Sequence, residues 1–362
     1  MRGTLTKSDV RPDVSSALDR GVAFLASRQL QSGQFPAEAT IHPQQIATLD
    51  QSVFATTYIV YSLDFVLGRL ARGMIARGIE YFKAEMTGRD LWRYWNKNAE
   101  WGGRKITACI PADLDDTASV LYLLRHHGIP FPENRPLIVL NRNGAGLFYT
   151  WLMLRPARTT SPRYWWIVLR ELTVQRLTLF WKTTEAGYLD VDGKVNANVL
   201  LYLGECPETA AVVEWLIEIV RTGCEATCDK CYRDAFSLYL RAFAQLIGPV
   251  FAPSEWSARR SLQGCAAARY GTGQICAPLQ TALGVNTLLN LGAGTDAALI
   301  DRALDYLLDT QSTGWNWPSA PYYYGGPLKA VSWGSPELIT GLCLEALARN
   351  AVGERGPFPC AA

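Results

Sequence analysis

The sequence predicts an all-α fold, an (α/α)6 barrel in which six helical hairpins close a double ring. Three observations lead there. One residue pattern occurs three times along the chain. Amphipathic and wholly apolar helical stretches alternate around those occurrences. Hydrophobic residues make up 49% of the 362 residues and charged residues only 19%, below the usual quarter, so the chain can bury a large core.

The repeated pattern is a basic and a small residue, then an aromatic-containing pair, then usually Gln, Gly and an aromatic. It reads first as Arg20-Gly21, Phe24-Leu25, Gln29, Gly33 and Phe35. It returns as Arg77-Gly78, Tyr81-Phe82, Met86, Gly88 and Trp92. The third copy is Arg302-Ala303, Tyr306-Leu307, Gln311, Gly314, Trp315 and Trp317. Each copy starts as a helix with one apolar face and stops at a Gly-marked turn. Self-similarity of this kind marks a repeat architecture.

The first helices of the six hairpins are expected at 16–30, 72–85, 163–181, 208–222, 256–268 and 298–310. The second, apolar helices are expected at 52–66, 113–126, 195–204, 234–246, 278–291 and 336–348. Between 127 and 270 the rhythm continues without the clean pattern. The expected layout is a polar segment 1–15, one barrel 16–350 and a tail 351–362. In such a ring the inner helices all start at one end, so residues just before them converge on one mouth.

At the start of the second inner helix stands Pro111-Ala112-Asp113-Leu114-Asp115-Asp116-Thr117-Ala118, followed by apolar Val120 to Leu124. Asp at a helix start caps free backbone N–H groups and suits the helix dipole. Capping accounts for one or two carboxylates. Three within four residues repel one another, and in a poorly hydrated cavity they retain a proton. Protonating an alkene or epoxide needs such a retained yet strong acid.

The repeated pattern resembles the QW repeat of squalene-hopene cyclases, oxidosqualene cyclases and their relatives. The acidic segment resembles the DxDDTA signature of class II terpene cyclases. The resemblance implies a barrel of the terpenoid cyclase and protein prenyltransferase type. In that family the Gln and Trp tie one outer helix to the next repeat. It also implies a protonation-initiated cyclisation of a polyprenyl or prenylated substrate, with Asp115 as general acid and Asp113 and Asp116 holding and orienting its proton. No cofactor is required; Mg²⁺ enters only if the substrate is a diphosphate. Class II cyclases usually have two barrels, whereas this chain is long enough for one. Either one cavity suffices, or a second barrel chain or homo-oligomer completes the site. One barrel favours a shorter prenyl chain, or a prenylated aromatic, over squalene.

A carbocation needs a lining that tolerates it. Aromatic faces contribute roughly 0.5–2 kcal/mol per contact, and water must be kept out. The chain has 12 Trp, 16 Tyr and 12 Phe, so a lined cavity is within its means. Trp92 and Trp95 precede inner helix two, with Tyr94 and Trp101 beside them. Trp315, Trp317, Tyr322, Tyr323, Tyr324 and Trp333 precede inner helix six. Phe148 and Trp151 are weaker candidates. Packing explains any one of these rings; the group suggests a substrate pocket.

Other constellations point to lesser roles. Asp190-Val191-Asp192-Gly193 precedes inner helix three and reads as a turn and cap, with Mg²⁺-diphosphate binding or help to the acid as its functional reading. Cys224, Cys228 and Cys231 read as a Cys-rich loop of reduced thiols, not a metal site. Asp229-Lys230-Cys231-Tyr232 resembles the zinc-ligand Asp-x-Cys of protein prenyltransferase β subunits. That family needs a late His, and the histidines here are His42, His126 and His127. A prenyltransferase-like zinc enzyme is therefore the alternative, as is a non-catalytic barrel subunit of a two-chain cyclase. His126 and His127 end inner helix two, where His suits the dipole. Arg93, Lys97, Arg104 and Lys105 are the basic residues expected near the mouth. A net charge of +2 gives no reason to expect a nucleic-acid partner. No uncharged apolar stretch reaches about 18 residues, and the polar N-terminal segment lacks a signal-peptide core. A cytoplasmic protein is expected, with peripheral membrane contact left open.

Overall fold

The structure, a computed structural model, describes residues 11–87, 91–101, 103–153, 155, 159–171, 185–225, 227–232, 278–290 and 297–353. Eleven helices occur among them: α1 (Pro12–Arg28), α2 (Phe54–Leu63), α3 (Arg69–Glu85), α4 (Leu114–His126), α5 (Arg135–Leu140), α6 (Pro162–Glu171), α7 (Gly193–Leu203), α8 (Ala210–Thr222), α9 (Pro278–Asn290), α10 (Ala297–Thr310) and α11 (Pro336–Ala351).

These helices fall into two kinds. In α2 and α7 every residue is buried, and in α4, α9 and α11 nearly every one is. A helix that is apolar all round can only be an interior helix. In α1, by contrast, the buried residues are Val14, Ala17, Gly21 and Leu25, a single stripe at helical spacing. Helices α3, α8 and α10 show the same one-sided burial. The interior helices pack in series, α7 on α4, α4 on α2, α2 on α11 and α11 on α9, with α1, α3, α8 and α10 laid against them. The expected helices 234–246 and 256–268, and residues 172–181 of the expected third outer helix, lie outside the described residues. Helix α1 begins four residues before its expected start, and the short α5 was not expected at all.

The repeated pattern has a mechanical meaning. A side chain at Gly78 would place its Cβ 2.5 Å from Val60 of α2, and one at Gly21 would lie 2.8 Å from Leu344 of α11. The small residue thus lets an outer helix lie directly on an inner one. Gln29 donates to Met74 O of α3, and Gln311 donates to Ala17 O of α1, so each Gln links one outer helix to the next. Trp92 and Trp317 donate their indole N–H to Phe82 O and Leu307 O, at 2.9 and 2.8 Å. The backbone N–H of Phe35, Trp92 and Trp317 each finds a Thr hydroxyl on the following inner helix: Thr56, Thr117 and Thr340. Phe148 does the same with Asn196, which reveals a fourth copy with Asn in place of Thr.

An all-α fold needs one correction. Strands β1 (Ala37–Ile41), β2 (Ile46–Asp50), β7 (Tyr323–Gly325) and β8 (Val331–Gly334) form an antiparallel sheet in the order β2-β1-β8-β7, with Ala39 opposite Trp333 and Tyr323 opposite Trp333. Two short pairs accompany it: β3 (Glu100–Trp101) with β4 (Arg104–Lys105), and β5 (Ala112–Asp113) with β6 (Trp151–Leu152). All lie in connections expected to be loops, except that β5 takes Asp113, the expected first residue of the helix 113–126. They pair because residues before different inner helices meet at one end, where extended backbone must satisfy its hydrogen bonds. Among the described residues no helix is long and apolar enough to cross a membrane.

Candidate active site

The N-terminal ends of α2, α4, α7 and α11 surround one cavity of about 190 Å³. Phe54 opens α2, the three aspartates open α4, Asp192 precedes α7 and Trp333 precedes α11; all of them line it. Pairing of β5 with β6 sets Asp113 opposite Trp151, another lining residue.

The three aspartates differ in what holds them. Asp113 is the N-cap of α4 and accepts from the backbone N–H of Asp115 at 2.6 Å and of Asp116 at 3.3 Å. Capping therefore falls to this residue alone. Asp115 accepts from Asn198 on one oxygen, through a short contact, and from the Tyr232 hydroxyl on the other at 2.9 Å. Both donors suit the carboxylate that remains after a proton leaves. Asp116 is 2% exposed, and among the described residues neither of its oxygens has a hydrogen-bond partner. Burial, then the charge of Asp115, pushes Asp113 up to about 8. Burial, then Asp113 and Asp115, pushes Asp116 well above the carboxylate range. The described partners of Asp115 are Asn198 and Tyr232, not its two neighbours. Asp113 and Asp116 thus hold protons more tightly beside Asp115, while the hydrogen bonds to the Asp115 carboxylate come from Asn198 and Tyr232.

Of the eight aromatic candidates, Trp95, Tyr323, Tyr324 and Trp333 line the cavity. Tyr323 stacks on Trp333 at 4.9 Å and 6°, and Phe54 meets Tyr323 at 5.0 Å. The other four are corrected. Trp92 and Trp317 are fully buried behind the wall, held by the helix-end hydrogen bonds described above. Trp315 is 48% exposed on a turn at φ +72°. Tyr322 lies beneath Phe54, at 5.7 Å, and accepts from buried Lys194 at 2.9 Å. Tyr94, named beside Trp92 and Trp95, lines the cavity, and the side chain of Trp101 lies outside the described residues; of the weaker candidates Trp151 lines the cavity and Phe148 belongs to the core.

Of the basic residues expected at the mouth, Arg93 and Lys97 do not line the cavity, and the side chain of Arg104 lies outside the described residues. Arg93 is buried and donates to Ile110 O, and Lys97 caps Ala84 O. The lysines of the lining are Lys230, paired with Asp190, and Lys329. Asp190 closes a turn by accepting from Gly187 N at 2.6 Å, while Asp192 accepts from Thr150 and from Lys230 N and makes no side-chain cap. The carboxylate of Asp229 accepts from three backbone N–H groups, those of Lys194, Cys231 and Tyr232. Burial pushes Asp229 up to about 7 and the Cys228 thiol up to about 12. Among the described residues Cys224, Cys228 and Cys231 do not converge on a common ligand point.

No family model matches the sequence, and no curated protein matches it. Solved structures do match. A protein from Actinoplanes aligns over 93% of this chain and 99% of its own, at 18% identity and a TM-score of 0.65. The type II terpene cyclase MstE from Scytonema aligns over 94% of this chain and 99% of its own, at 16% identity and a TM-score of 0.63. The chain shares the fold of a type II terpene cyclase. MstE has also been solved with its substrate, geranylgeranyl dihydroxybenzoate. The ent-copalyl diphosphate synthase of Streptomyces platensis aligns over 83% of this chain but only 50% of its own, at 18% identity and a TM-score of 0.51. One helical unit of the present size thus corresponds to about half of that larger cyclase.

Several site residues escaped the sequence reading. Asp50 is buried and accepts from the Tyr94 hydroxyl at 2.5 Å and from Trp95 at 3.2 Å; burial pushes it up, against those donors. Asn198, Tyr232 and Phe54 were missed as well. Phe54 carried a usable signal, since it opens its inner helix where Asp113 opens another. Lys194 is wholly buried, its ammonium 3.6 Å from the Tyr232 ring centroid and 4.1 Å from that of Tyr322. Its cage shows that aromatic faces at this depth accept positive charge.

Proposed function

We propose that this chain is a class II terpene cyclase-like enzyme that starts cyclisation by protonating a carbon–carbon double bond of a prenylated substrate, with Asp115 as general acid. The observation that carries the reading is Asp115 on the wall of an aromatic-lined cavity, both oxygens met by donors, beside two carboxyl groups that burial keeps protonated. A strong acid needs its conjugate base stabilised, and Asn198 and Tyr232 do that. Proton return needs a reservoir, which Asp113 and Asp116 supply. Trp95, Phe54, Tyr323 and Trp333 offer ring faces or edges along the path of the developing cation. The proposal includes a closed barrel of six inner helices, of which the fourth, expected at 234–246, lies outside the described residues.

The mouth argues about the head group. The lysines of the lining are Lys230, already paired with Asp190, and Lys329, and Glu185 stands beside them, which leaves little positive charge for a bare diphosphate. A prenylated aromatic of the kind MstE takes is the first substrate to offer. Mg²⁺ belongs only to a diphosphate substrate, with Glu185 and Asp190 as hard oxygen donors. The test incubates wild type and Asp115→Asn with geranylgeranyl dihydroxybenzoate and with polyprenyl diphosphates. Wild type yields a cyclic product, and the variant loses at least about 100-fold in turnover with an unchanged thermal midpoint. Full turnover by a folded Asp115→Asn protein refutes the assignment.

A further inference from the structure

At the opposite end of the same inner helices, a second cluster of chemistry-bearing side chains has no part in the reaction above. Two of the chain's three histidines, His126 and His127, close α4, and Asp64 caps the C-terminal end of α2. Helices α2 and α4 are neighbours in the interior series. The Nε2 atom of His127 lies 3.2 Å from Asp64 Oδ2, and that of His126 lies 3.9 Å from the same oxygen. One ligand atom from each of the three residues lies within 4.8 Å of the others, and no other such group of three occurs among the described residues.

We propose that Asp64, His126 and His127 form a binding site for a divalent transition-metal ion of the zinc class. Two imidazole nitrogens and one carboxylate oxygen are the donor types that such an ion selects. Bonds of about 2.0–2.1 Å to a tetrahedral ion place its ligands about 3.3 Å apart, so the spacing found needs only small side-chain rotations to close. Water fills the fourth position. The rings are held for the purpose: His126 stacks on Tyr122 at 11°, and His127 stands edge-on to His126 at 83°. Arg125, the neighbouring cation, is turned away to α7, donating to Tyr202 O at 2.7 Å and lying over that ring. Asp64 is nearly buried, while each imidazole keeps about a fifth of its surface open to solvent, which leaves the ion a way in. Bound there, the ion clamps two adjacent inner helices at the end away from the acid, about 20 Å along α4 from Asp113.

The test titrates zinc chloride into the full-length protein by calorimetry and follows its thermal midpoint. Wild type is expected to take one Zn²⁺ per chain and to melt higher with it. The double variant His126→Ala/His127→Ala is expected to lose at least about 100-fold in affinity, and so is the milder Asp64→Asn, which keeps the side-chain shape if the double variant folds poorly. The triple variant Cys224→Ser/Cys228→Ser/Cys231→Ser should bind as wild type does, since the Cys loop lies at the cavity end. Unchanged binding in Asp64→Asn, binding lost only with the cysteines, or no binding by wild type at micromolar Zn²⁺ each overturns the proposal. Asp64, His126 and His127 are not part of the lining of the candidate active site, so the result is independent of the cyclase reading.

Discussion

Asp113 does two things at one position. Its carboxyl caps α4, and it sits where burial raises its proton affinity to about 8. The two roles separate in Asp113→Asn, because Asn caps a helix as well as Asp does. A carboxyl whose folded value lies above its ordinary 3.8 keeps its proton while the unfolded chain loses it. Its stabilising contribution is full below about pH 4 and is lost as pH rises towards about 8, at a slope on the order of 1 kcal/mol per pH unit. Denaturant unfolding at about pH 5 and about pH 8 should show the Asn variant gaining on wild type at the higher pH. A constant difference would mean that Asp113 is ionised in the fold. The three aspartates were legible as a group because they are consecutive and charged. Asn198 and Tyr232 were not, since they lie 83 and 117 residues from Asp115 and only the packed fold brings them to it.

The repeat's small residue is what lets an outer helix touch an inner one. Ala is a better helix former than Gly by about 1 kcal/mol, so an exposed Gly78→Ala would stabilise. At this position the new methyl meets Val60 at 2.5 Å, and overpacking of that kind costs about 1–3 kcal/mol. Thermal melts should therefore place Gly78→Ala below wild type, with Val60→Ala/Gly78→Ala recovering part of the loss beyond additivity. A stabilised single variant would show that the helix pair is looser than drawn. The inner helices were readable because they are apolar on every side, and the outer ones because one stripe repeats. The mouth sheet was not read. Its segments, Ala37–Ile41 and Ile46–Asp50, do carry β-branched Thr40, Ile41, Ile46 and Thr48 about a short turn, but they sit inside connections that the repeat assigns to loops. The partner of β1 is β8, some 290 residues away, beyond any local pattern. The same sheet brings His42 to Ser332, at 2.8 Å, although sequence distance set it far from the last hairpin.

At the scale of the molecule, the common direction of the interior helices organises the chemistry. Four inner helices start at the cavity, so the positive ends of their dipoles face it. Carboxylates suit that end for this reason, and under the proposed function the same field stabilises the anion left when Asp115 gives up its proton. Convergence was legible from the repeat alone, since helices in register must start together. What the cavity contains was only partly legible: half of the aromatic candidates line it, and the rest bind helix ends, cage a lysine or face solvent. The wall therefore follows from which side of each connection faces inward, and spacing along the chain does not encode that.

Proton transfer to carbon leaves a mark that can be read. Cyclisation of geranylgeranyl dihydroxybenzoate in heavy water should place one deuterium in each product molecule, at the carbon that accepts the proton, and Asp115→Asn should form no such product. A cyclic product free of deuterium would mean that the reaction starts some other way, and that the acid at the mouth of α4 is not its trigger.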